Sequence, residues 1–121
     1  MTGSGAAWTL AGGATVVADG AGVDIPAEGI LSATLVRDDA LRLVRFAFAA
    51  GEELTEHTAA SPVVLQVVRG RMLIGVDGDE VVLEPGSWMH LPARLPHRVV
   101  AQVPSVLLLT LLRATPSGTG G

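Results

Sequence analysis

Apolar and polar positions along this chain fall into short runs, and no long segment keeps a helical period. Val63–Val68 (VVLQVV) is apolar and β-branched and opens on Pro62. Ile30–Val36 and Leu41–Phe48 are two further β-prone runs, split by the turn pair Asp38-Asp39. Met72–Val76 and Val81–Leu83 flank Asp77-Gly78-Asp79, a hairpin-turn sequence. Ala14–Val17, Trp88–Leu91, His97–Val103 and Val106–Leu112 complete the set, with breaks at Pro85-Gly86, Pro92 to Pro96 and Pro104-Ser105. Turns at intervals of 6–12 residues predict an antiparallel sandwich or barrel. Leu107–Leu112 has the length of either a helix segment or a strand, and the adjacent Pro104 turn favours the strand. The pattern predicts a flexible arm over 1–13, a barrel over 14–113 and a disordered tail over 114–121 (ATPSGTGG).

Composition narrows the chemistry. With 121 residues and 12.4 kDa the chain makes one domain with a real core. Aromatics are only 3%, so that core is built from Val, Leu, Ile and Ala. The absence of Cys excludes disulfides, thiolate nucleophiles, Cys-zinc sites and iron–sulfur clusters. The absence of Lys excludes a Schiff base and a phosphate-loop lysine. A net charge of −4 argues against a nucleic-acid partner. No apolar run approaches the roughly 20 residues of a membrane span. The N-terminus lacks a basic segment followed by an apolar one, so a cytoplasmic location without membrane partners is expected. Gly86-Ser87-Trp88 does not build a nucleophile elbow. Three His, twelve carboxylates, eight Arg and some hydroxyls remain.

Between Phe48 and His97 the spacing becomes specific. Gly51 precedes His57 by a gap of five residues, and Val63 stands seven positions before Gly70. Gly86, Pro92 and His97 then recur at gaps of five and four, with Arg94 between the last two. This order resembles the two motifs of the small single-domain cupins, which are jelly-roll β-barrels. The resemblance implies an all-β, antiparallel, single-domain cupin barrel. It also implies a divalent metal (Fe, Mn, Ni, Cu or Zn) and a small-molecule ligand. In the family pattern the first motif supplies His-x-His and a Glu, and the second supplies a last His. Here His57 and His97 match, whereas Ala59 replaces the second His, Val63 replaces the Glu, and Arg94 replaces a glycine.

The metal candidates are therefore His57 and His97, with His90 or Gln66 as substitutes for the missing ligands. His90 shares a face with Trp88 and Pro92 by alternation. Gln66 is three residues from Val63 and faces the other way unless a bulge turns it. The pocket candidates are Trp88, Arg94, Val63 and Ala59, with Arg94 able to clamp a carboxylate or phosphate through its fork of donors. Glu52, Glu53 and Glu56 read as a solvated acidic loop. Two functions stay open. One is a metal-binding cupin, including a small oxygenase- or isomerase-type enzyme. The other is a metal-free barrel that binds a small apolar or acidic molecule without catalysis. The fold does not choose between them. The low charge and the runs Val63–Val68 and Val106–Leu112 predict a homodimer. Light scattering at micromolar concentration should then report twice the chain mass, and a monomeric mass would contradict it.

Overall fold

The computed structural model describes residues 7–57 and 59–113. Eleven strands form: β1 (Ala7–Thr9), β2 (Thr15–Val17), β3 (Ile30–Arg37), β4 (Leu41–Phe48), β5 (Glu53–His57), β6 (Val63–Arg69), β7 (Met72–Val76), β8 (Asp79–Leu83), β9 (Trp88–Leu91), β10 (His97–Ala101) and β11 (Ser105–Leu112). There is no helix among the described residues. Leu107–Leu112 is a strand, as its context predicts. Two short strands had no signal in the sequence. One is β5, which is interrupted by glutamates, and the other is β1, which lies within the predicted arm and pairs with β2. The predicted tail over 114–121 lies outside the described residues.

The strands make a five-stranded sheet in the order β3-β4-β11-β6-β9 and a four-stranded sheet in the order β5-β10-β7-β8, all pairings antiparallel. Their inner faces meet across one apolar core. Alternation assigns the faces. On β6, Val63, Leu65 and Val67 are buried, whereas Gln66 is exposed. Phe48 from β4, Met72 and Ile74 from β7, Val99 from β10 and Leu107 from β11 fill the same core.

Turn chemistry sets the register. Asp77 and Gly78 both have positive φ, 48° and 86°, between the paired residues Val76 and Asp79. That is the backbone of a two-residue hairpin loop whose twist suits its strands. Asp38 closes the β3–β4 turn by accepting bonds from the Ala40 and Leu41 amides at 2.8 and 3.0 Å. These two amides hold its carboxyl below the usual aspartate range.

On the outer face of the smaller sheet, Arg98 Nε donates to Glu53 Oε2 at 2.9 Å and Arg98 Nη1 lies 3.9 Å from Glu80. Gly75, between β8 and β10, presents no side chain there, so the guanidinium reaches across. The Arg98 hydrogen bond holds the Glu53 carboxyl below the ordinary glutamate value of 4.5. A depressed carboxyl pKa gives stability that is present above that value and lost as pH falls through it. Thermal melts of wild type and Glu53→Gln should therefore differ at pH 7 and converge as pH falls below 4.5. A gap that is independent of pH would contradict this pairing.

Candidate functional site

A cavity of about 420 Å³ opens between the two sheets. That size lies within the range usual for small-molecule sites, roughly 300–1,000 Å³. Its wall is mostly apolar: Val44 and Phe46 from β4, Val63 from β6, Leu109 and Leu111 from β11, and Ala59 from the loop before β6. Three polar side chains join them: Ser32 from β3, Arg42 from β4 and His97 from β10.

His97 is 1% exposed. Its Nδ1 lies 3.0 Å from the Leu95 carbonyl oxygen, which can only accept, so Nδ1 carries the proton. Nε2 is then the basic nitrogen of the ring. The Pro-rich corner before β10 supplies that carbonyl and so orients the imidazole. His57 is described by its backbone alone. Its register sets it opposite His97 across the β5–β10 pair, and the pairing shifts immediately afterwards. A bulge of this kind is common beside functional sites, where it re-aims side chains.

Arg42 is the residue the sequence reading missed. It enters the inner face because β4 pairs Val44 with Leu109 and Arg42 with Leu111, and both leucines point inward. Its Nη2 lies 3.4 Å from the Thr34 hydroxyl, and its buried Nε has no hydrogen-bond partner among the described residues. A signal was available: Arg42, Val44, Phe46 and Phe48 are successive alternate residues of one strand, so a face assigned from the phenylalanines carries Arg42 with it.

The other candidates divide cleanly. Ala59 and Val63 line the cavity, so the two positions that lack the family's ligands sit in the site. Trp88 and His90 are exposed on the outer face, as is Gln66, which pairs with Trp88 across β6 and β9. Trp88 is 63% exposed, which corrects the expectation that it lines the pocket. The inner positions of β9 belong to Met89 and Leu91, and no bulge brings Gln66 round. His90 and Gln66 therefore do not join His97. Arg94 is exposed and does not line the cavity, which corrects its placement there. Its backbone has φ 64° and its amide donates to the Ala59 carbonyl at 2.7 Å. Arg94 keeps the left-handed conformation that the motif's glycine suits, and its side chain projects outward. Of the glutamates, Glu52 accepts from the Gly29 amide at 3.1 Å and ties two loops together, and Glu53 on β5 pairs with Arg98 on the neighbouring β10.

This donor set does not fit a three- or four-ligand metal cage. Among the described residues no three His, Cys, Asp or Glu side chains gather. Ala59 and Val63 offer no donor, and the Arg42 cation shares the cavity. A dication is disfavoured beside a guanidinium in a space of low dielectric.

The comparisons agree with this architecture. A family model described as "Cupin domain" matches residues 44–111. A cupin superfamily protein from Desulfitobacterium hafniense superposes with a TM-score of 0.73 at 22% identity, over 76% of this chain and 84% of that one. An RmlC-like cupin from Shewanella frigidimarina gives a TM-score of 0.68 at 28% identity, over 75% and 81%. A cupin 2 conserved barrel domain protein from Leptotrichia buccalis gives 0.71 at 30% identity, over 75% of this chain and 44% of that longer one. No curated protein matches the chain. With its two facing antiparallel sheets, its spaced motif residues and a family match over more than half its length, this chain belongs to the cupin domain family.

Proposed function

We propose that this protein is a small-molecule-binding cupin whose barrel holds a compact, largely apolar ligand without needing a metal. The observation that supports it is the cavity wall: Val44, Phe46, Ala59, Val63, Leu109 and Leu111 stand beside one hydroxyl, one imidazole and one guanidinium among the described residues. Apolar walls with a few placed polar groups are the usual makeup of a ligand site. His97 Nε2 and the Ser32 hydroxyl supply hydrogen bonds that orient the ligand. The homodimer and the cytoplasmic location expected from the sequence belong to the same proposal.

The test uses hexanol as a neutral probe. Hexanol should raise the melting temperature of the wild type, with or without chelator. Ala59→Phe fills the cavity from a loop and should abolish the rise while keeping the β-sheet circular dichroism. No rise in the wild type, or an equal rise in Ala59→Phe, would overturn the reading.

A second reading has one observation in its favour. The register that sets His57 opposite His97 supports a two-histidine metal centre, as the family resemblance implies. Imidazoles suit Fe, Mn, Ni, Cu and Zn. In that reading the metal would polarise a ligand oxygen, and the protein would be a small enzyme of the oxygenase or isomerase type.

A further inference from the structure

The outer end of the cavity carries an unusual concentration of positive charge. Arg37 and Arg42 are directly paired across β3 and β4. Like charges placed opposite each other on a sheet destabilise it by themselves. Arg113, just after β11, joins them, its backbone N–H donating a hydrogen bond to the Ala40 carbonyl at 2.8 Å. Together with Ser61 and Leu111, these three arginines line a recess of about 320 Å³. Three of the protein's eight cations thus meet at one mouth in a chain of net charge −4. None of the three makes an ion pair among the described residues. Asp38 feels the charge of Arg113 but makes no ion pair with it, and its carboxylate accepts from the Ala40 and Leu41 amides. Arg42 and Leu111 line both this recess and the interior cavity, so the two spaces share a wall.

The geometry points to an oxyanion site at this mouth, in which Arg37, Arg42 and Arg113 grip a carboxylate or phosphate group with the Ser61 hydroxyl beside it. Guanidinium forks match both groups through paired N–H donors. The buried Arg42 Nε is a donor that such an oxygen would satisfy. An anion there also offsets the Arg37–Arg42 repulsion, so the site is poised for a ligand. The further step, that the anion is the head group of the molecule inside the barrel, rests on the binding-barrel reading. The site itself does not.

The test titrates inorganic phosphate and acetate into the whole protein by calorimetry, with ionic strength held constant by chloride. At least one of the two should bind saturably with one site per chain. Binding of phosphate alone assigns a phosphate ester, acetate alone a carboxylate, and both a general oxyanion site. Arg37→Gln/Arg113→Gln, two changes at exposed positions, should weaken that binding at least tenfold. The charge-matched Arg71→Gln/Arg94→Gln should change it less than twofold. No binding of either ion, or equal loss in both double variants, overturns the site. Hexanol separates the two readings. A protein that takes hexanol but neither anion keeps the barrel and loses the arginine site. One that takes an anion but not hexanol keeps the arginine site and loses the barrel reading.

Discussion

Gly70→Ala should lower stability by about 2–5 kcal/mol, with a fall in melting temperature of roughly 10–20 °C. Gly70 ends β6 with φ 87°, in the left-handed region. An L side chain there costs about 1–2 kcal/mol on backbone grounds alone. The second cost is steric. A Cβ would overlap the Pro104 carbonyl and the Ser105 hydroxyl and stand 2.7 Å from Ser105 Cα. Ser105 cannot retreat. It is fully buried, and its Oγ accepts from the Arg71 amide at 3.0 Å and lies 2.7 Å from the Val103 carbonyl. Overpacking of this kind adds about 1–3 kcal/mol. Gly51→Ala is the control, since Gly51 has φ 82° but nothing within 4 Å of a Cβ. It should lose only the backbone part, about 1–2 kcal/mol. Thermal or urea unfolding of both variants decides the matter, and equal losses would contradict the steric argument.

Phe48→Ala should cost about 3–5 kcal/mol, the range for a large side chain removed from a tight core. The chain has only two Phe, and Phe48 is fully buried in the core between the two sheets. In a core otherwise built of Val, Leu, Ile and Met, no neighbour is large enough to refill the space. Phe46 lies beside it with ring centres 6.0 Å apart, but it borders the cavity and is only partly buried. Phe46→Ala should therefore cost less and enlarge a space that already exists. Urea unfolding should show the larger drop in midpoint for Phe48→Ala with an unchanged slope. A Phe48→Ala loss below about 1 kcal/mol would mean the core relaxes around the gap.

The strands with clear alternation were legible from sequence because burial on one face forces period two. VVLQVV is the clearest example, with Val63, Leu65 and Val67 inside and Gln66 outside. The motif turns were legible for a related reason. Gly51, Gly70 and Gly86 all have positive φ, and Arg94 holds the same conformation at the remaining motif glycine position. β5 was not legible, because Glu53 and Glu56 break the apolar pattern. Trp88 was misplaced in the pocket because the face of β9 is not fixed by its short sequence, and its inner positions fall on Met89 and Leu91. Arg42 was overlooked because a charge in a strand reads as solvent-facing. Only the pairing of β4 with β11 carries it onto the inner face.

Ala59 and Val63, which offer no metal donor, and the Arg42 cation line the same cavity. At these positions no group holds a cation, and a group that repels one is present. The measurement that bears most directly on this is elemental analysis of tag-free protein incubated with Fe, Mn, Ni, Cu and Zn and then desalted. It is run beside the His57→Ala/His97→Ala double variant. A metal-free barrel predicts substoichiometric metal in both proteins and a wild-type melting temperature that chelator leaves unchanged. One transition metal per chain, retained by the wild type and lost from the double variant, would contradict it and establish the two-histidine centre.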